Sequence, residues 1–170
     1  MKVLIDTSPL SNANAIRGVG VYTRFLTREL EELDDLTVKR SGELEPTEQF
    51  QPDIVHYPFF DLFFDTLPLV KKNKTVVTIH DVIPLKFPQY YEPGIKGKLR
   101  FEKQKVALKT VQAVVTDSKA SKFDIVKHLG VPQEKIHVVY LAGNPEIEEI
   151  GPRAVGKVKQ DYNLPEDYIL

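Results

Sequence analysis

The chain alternates short apolar runs with longer stretches whose apolar residues recur every three or four positions. Runs at 2–6, 53–57, 75–79, 113–116 and 135–140 are brief, rich in β-branched residues and bounded by turn formers. Strands buried on both faces of a parallel sheet read this way. From Gly18 the spacing changes to helical, with Val19, Tyr22, Leu26, Leu30 and Leu33 on one stripe, Phe25 widening it, and Arg24, Arg28, Glu29, Glu31 and Glu32 facing water. A second helix is predicted over 95–112. A third starts at a cap supplied by Asp117 or Ser118, turns Phe123, Val126 and Leu129 inward, and stops at Gly130 and Pro132. Residues 37–52 are polar, with at most a weak strand near Val38.

Strands alternating with helices across short turns predict an α/β fold: a three-layer, Rossmann-like domain with a mostly parallel sheet. The tail over 142–165 is loop-like with a short helix near 153–162, and 167–170 reads as the start of a further strand. The expected organisation is a domain over 1–145 followed by a linker or crossover over 146–170 toward a second domain. There is no internal repeat.

Composition narrows the setting. The 170 residues are 42% apolar and 28% charged, with a net charge of −1 and no cysteine. Disulfides and thiolate zinc sites are excluded, and no global charge draws the chain to nucleic acid. Only three strongly apolar residues, Val3 to Ile5, precede Asp6, too few for a signal peptide, and no segment has the length of a membrane span. The cytoplasm is the default location.

Candidate chemistry gathers at strand ends, because ligands of open α/β sheets bind beyond the carboxyl ends of the strands. His80 closes the 75–79 run. A neutral imidazole both donates and accepts, so His80 fits a donor to a sugar hydroxyl, a general base or an orienting group, against the plainer reading of a histidine satisfied by main chain. Asp81 either holds that imidazole or caps the next turn through the backbone. His56 ends another strand, but the aromatic run after it (Phe59, Phe60, Phe63, Phe64) favours a packing role. That run reads as core or a domain contact, with an acceptor-pocket wall as the sharper alternative. Gly18 and Gly20 at a helix start suit an anion, although a lone glycine pair also simply permits a tight turn, and Thr23 stands where a dinucleotide fingerprint needs its third glycine. Six basic residues from Lys96 to Lys109 face a single acid, Glu102. They fit an anionic acceptor, a phosphate or a membrane surface, while the commoner meaning of such a run is a solvated face. The sequence holds no Asp-x-Asp, His-Glu-x-x-His or Gly-x-Ser-x-Gly, so no metal site or nucleophile elbow is predicted.

Several segments together carry a more specific signal: Arg17-Gly-Val-Gly-Val-Tyr-Thr-Arg24, Asp53-Ile-Val-His56, Thr78-Ile-His-Asp-Val-Ile-Pro-Leu85, Val115-Thr-Asp-Ser-Lys-Ala-Ser121, Leu129-Gly-Val-Pro132 and Glu134-Lys-Ile-His-Val-Val-Tyr140. In order and spacing they resemble the amino-terminal domain of glycosyltransferase family 4, whose members pair two Rossmann-like domains across a cleft in the GT-B architecture. The resemblance implies the acceptor-side half of a retaining, metal-independent, sugar-nucleotide-dependent transferase that moves a hexose to a glycan or lipid-linked acceptor. It implies His80 and Asp81 at the transferred sugar, and Gly18, Gly20, Ser118 and Lys119 on the donor and its diphosphate. Arg17, Tyr22, His56 and Tyr90 are the candidate acceptor contacts. No cofactor is implied. The expected partners are the donor, the acceptor and a donor-binding domain in cis or in trans, with peripheral contact at the inner membrane face through the Lys96 to Lys109 residues. The family's pair of glutamates eight positions apart has no counterpart here. This half is therefore expected to be inactive alone. The alternative is a noncatalytic sugar- or nucleotide-binding or regulatory module.

Overall fold

A computed structural model describes residues 1–43, 50–143 and 151–167. The chain divides into two compact units, Met1–Tyr140 and Leu141–Leu170. In the first, six strands form one sheet: β1 (Lys2–Ile5), β2 (Thr37–Arg40), β3 (Ile54–Tyr57), β4 (Lys74–Thr78), β5 (Ala113–Thr116) and β6 (Ile136–Val138). Four helices of this unit are α1 (Gly18–Glu31), the single turn α2 (Ile83–Lys86), α3 (Gly94–Leu108) and α4 (Lys119–Leu129). The second unit contributes α5 (Pro152–Asp161), close to the short helix expected near 153–162. The expected boundary at 145/146 and the end of the strand expected over 167–170 lie outside the described residues.

The strand order is β2-β1-β3-β4-β5-β6, and all neighbours are parallel. The chain goes from β1 to one side for β2, then crosses back to build the rest of the sheet on the other side. That reversal puts the topological switch point between β1 and β3. Crossovers through helices are what an all-parallel sheet requires, since parallel neighbours cannot be joined by tight hairpins. This is the α/β, Rossmann-like layering expected from the alternating pattern. The core lies mainly around β4 and β5, where Val77, Ile79 and Val114 pack with Ala107, Leu108 and Ile125 of the covering helices.

Four details differ from the pattern reading. The polar 37–52 region holds a full strand, β2, paired with β1 over four positions. As an edge strand it needs only one buried side, so polarity does not prevent it. In α1 the deepest face is Gly20, Thr23 and Thr27, while the expected stripe is half-buried and Leu33 is exposed. Both threonine hydroxyls donate to carbonyls one turn back, Thr23 to Val19 (2.8 Å) and Thr27 to Thr23 (2.7 Å), and so are satisfied without water. In α4, Ile125 and Leu129 face the core and Phe123 is 66% exposed. Finally, α3 ends at Leu108 instead of 112, and β6 is shorter than 135–140.

Candidate functional site

The register of β4 on β5 pairs Thr78 with Val115, and the Ile79 N–H donates to the Val115 carbonyl (2.9 Å). Counting two residues past that pair on each strand brings His80 opposite Asp117. His80 Nδ1 and Asp117 Oδ2 meet at 2.7 Å, with both side chains about four-fifths buried (18% and 20% exposed). The ring of Tyr22, from α1, stands perpendicular to the His80 imidazole with centroids 4.8 Å apart. The Tyr22 hydroxyl reaches Thr78 Oγ1 (3.3 Å), which also meets His56 Nε2 (2.9 Å). A chain of contacts thus runs from β3 through β4 and α1 to β5 along the carboxyl edge of the sheet.

Burial shifts two groups of this network, His56 and Tyr22. It lowers His56 from its ordinary range to about 4, so the ring is neutral at pH 7. The assignment that satisfies all three groups has Tyr22 donating to Thr78 and Thr78 donating to His56 Nε2. Burial likewise raises the Tyr22 phenol, opposed by the Thr78 hydrogen bond and reinforced by the negative charge of Asp117. At the other end, three buried side-chain atoms of the described residues have no hydrogen-bond partner: His80 Nε2, Asp117 Oδ1 and Thr116 Oγ1. A cluster of such atoms at a strand end makes these positions candidates for a functional role.

Beside this edge lies a cleft of about 700 Å³. His80 and Asp81 form part of it, Arg17 lines it from the start of α1, and Phe59, Phe64 and Tyr90 supply aromatic lining. Among the residues anticipated from sequence, Arg17, His80, Asp81 and Tyr90 are brought together here. The others take different places. Asp81 does not hold the imidazole: it is exposed, and its Oδ1 accepts from the Ile83 N–H two residues on (2.9 Å), closing the turn that leads into α2. His56 and Tyr22 belong to the network beneath the cleft and do not line it. Ser118 caps α4, accepting from the Ser121 N–H at 3.0 Å, and Lys119 is the exposed first residue of that helix.

The two glycines separate as well. A Cβ on Gly20 would sit 2.4 Å from the Asn14 carbonyl oxygen and 2.6 Å from that of Ala15, and the Gly20 N–H donates to Asn14 (3.1 Å). Gly20 is therefore required by its own loop. Gly18 is exposed, with open space where a side chain would stand.

Asp117 and Thr78 were not identified as site residues from the sequence. The signal for Asp117 was its place just past a predicted strand, the rule that singled out His80. Among the described residues no cluster of three or more His, Asp or Glu could hold a metal ion, and no helix is long and apolar enough to cross a membrane.

The chain matches the family model "Glycosyltransferase Family 4" over residues 44–146. Among solved structures it is similar to a glycosyltransferase from Rickettsia africae ESF-5, at 18% identity and a TM-score of 0.43, over 98% of this chain and 50% of that one. The chain thus spans half the length of that protein. No curated protein matches it.

Proposed function

This chain belongs to glycosyltransferase family 4, and we propose that it is the acceptor-side half of a retaining transferase that moves a hexose from a sugar nucleotide to a glycan or lipid-linked acceptor. The observation that carries this reading is His80, held at Nδ1 by Asp117 and left without a partner at Nε2, beside the cleft. With Nδ1–H donating to the carboxylate, the neutral ring keeps Nε2 as an acceptor; the atom is buried in this structure, so a small side-chain shift must open it to a sugar hydroxyl. On protonation the same atom becomes a donor. Either use needs an imidazole fixed in orientation, which Asp117 and the perpendicular Tyr22 ring provide.

In this reading the diphosphate leaving group is stabilised without a metal, by the exposed amino end of α1 at Gly18 and by cationic groups of a donor-binding half, while Arg17 in the cleft meets the acceptor. Gly20 contributes by letting the 12–17 loop close on α1. Transfer needs both halves, in cis or in trans, because positioning two substrates across a cleft accounts for much of the rate. We infer that the reaction takes place in the cytoplasm, where sugar nucleotides are available to it.

The test is transfer and hydrolysis across a panel of sugar nucleotides, using the 170-residue chain alone and joined to a family 4 donor-binding domain. The expected result is activity only in the joined protein, with product retaining the donor's anomeric configuration. His80→Ala should lower kcat at least about 100-fold, the range of a positioned proton-handling group. Asp117→Asn should lower it about 10- to 100-fold, since a hydrogen bond to a charged group is worth about 1.5–3 kcal/mol. Turnover by the isolated chain would replace this reading with that of a self-sufficient enzyme. Tight sugar or nucleotide binding by the isolated chain, with no transfer in the joined protein, would make it a noncatalytic module.

A further inference from the structure

The core-facing side of α3 is Gly97, Gln104, Ala107 and Leu108, all buried. Its opposite side is not uniformly polar. Ile95, Leu99 and Val106 are 82%, 69% and 54% exposed, and at 100° per residue they fall within about 40° of one another on the helix surface. Exposed aliphatic residues scattered singly need no explanation, but three in one outward stripe do. Glu102, paired with Lys105, and beyond it Lys98 and Lys109 border the stripe on one side, and Lys96 and Lys103 border it on the other. Six basic residues and one acid lie between Lys96 and Lys109, in a chain whose net charge is only −1. Positive charge is therefore concentrated on this helix.

We propose that the outward face of α3 docks on an anionic phospholipid bilayer. An apolar stripe between two rows of lysine is the arrangement of helices that lie in a membrane interface: the aliphatic tips enter the acyl boundary while the lysine stems bend their ammonium groups to the headgroups. Charge selects lipid phosphate as the partner, each lysine adding attraction to an anionic surface. The ion pairs Lys103–Asp65 (3.0 Å) and Lys105–Glu102 (3.4 Å) are exposed and weak, so they do not withdraw these charges.

The same helix turns Lys96 and Arg100 into the cleft beside His80. A bilayer against α3 places the cleft mouth at headgroup level, so an acceptor carried on a lipid would reach it without leaving the membrane. This last step rests on the transferase reading. The docking itself does not.

Flotation of the 170-residue chain with vesicles of phosphatidylcholine alone, or with about a third of an anionic phosphatidylglycerol, tests the docking with no donor present. The expected result is binding to the anionic vesicles only, weakened by high salt. Ile95→Ser combined with Leu99→Ser should reduce it on the order of tenfold, because two exposed aliphatic side chains lose their transfer into lipid. These positions are exposed, so the fold is kept. Phe123→Ser, at an exposed position on α4, should bind as the unaltered chain does. Equal binding to both vesicle types, no binding, or full binding by the double variant would overturn the proposal. A dimer lost in the double variant, without vesicle binding, would assign the face to a second copy of the chain. If docking fails while the joined protein transfers sugar, only the membrane inference falls.

Discussion

His56 and His80 both stand at strand ends, and their surroundings set them to different work. His56 is buried and meets the Thr78 hydroxyl, and desolvation holds its ring at about 4. An unfolded histidine titrates near 6.5, so between about pH 6.5 and 4 the unfolded chain binds a proton that the folded chain does not. Stability from this group is therefore complete above about pH 6.5 and declines as pH falls toward 4. Between pH 7.5 and 5 the loss is on the order of 2 kcal/mol. Urea unfolding at those two pH values should show this decline in the unaltered chain, and a markedly smaller one in His56→Gln. Equal declines would mean that His56 is solvated in the folded state. His80 could be chosen from the sequence because the end of a predicted strand is a local feature. Its partner could not, since the choice between Asp81 and Asp117 depends on register: sequence proximity favours Asp81, whereas the pairing of Thr78 with Val115 sets Asp117 opposite the ring.

At the scale of elements, the amino end of α1 shows what a pattern of letters conceals. Gly18 and Gly20 look equivalent in the sequence, yet only Gly20 has backbone oxygens within 3 Å of the place its side chain would occupy. Gly20→Ala should displace the 12–17 loop from the helix and destabilise the fold by about 1–3 kcal/mol, as overpacking against backbone does. Gly18→Ala meets nothing and should be neutral or stabilise by up to about 1 kcal/mol through lower chain entropy. Paired thermal melts measure both, and equal melting temperatures would refute the close packing of loop and helix. The helical period of α1 was legible, whereas its deepest face was not. Hydropathy counts Thr23 and Thr27 as polar, but their hydroxyls are satisfied within the helix and only their methyls need burial. The opposite error occurs in α4, where Phe123 looks like core and is exposed because Ile125 takes the inward position.

For the whole molecule, alternating strand and helix periods were enough to give a parallel α/β sheet, because each apolar run is short and each amphipathic stretch has one face to bury. The cleft was not legible. Its walls come from Arg17, the 59–64 run, the end of β4, the 90–93 segment and α3, which only the folded sheet brings together. The described residues also show where the folding unit closes. All six strands lie before Val139, and every buried hydrophobic residue falls between Val3 and Ile136. No residue of α5 is buried. Hydrophobic stabilisation follows the area removed from water, so among the described residues nearly all of it resides within Met1–Tyr140. A chain ending at Gly143 should therefore unfold in one cooperative transition, with a melting temperature within about 4 °C of the 170-residue chain, a change on the order of 1 kcal/mol. A larger drop, or loss of the transition, would mean that residues beyond Gly143 complete the core. Retention of both fold and transition would show that those residues are not part of the stability of this unit.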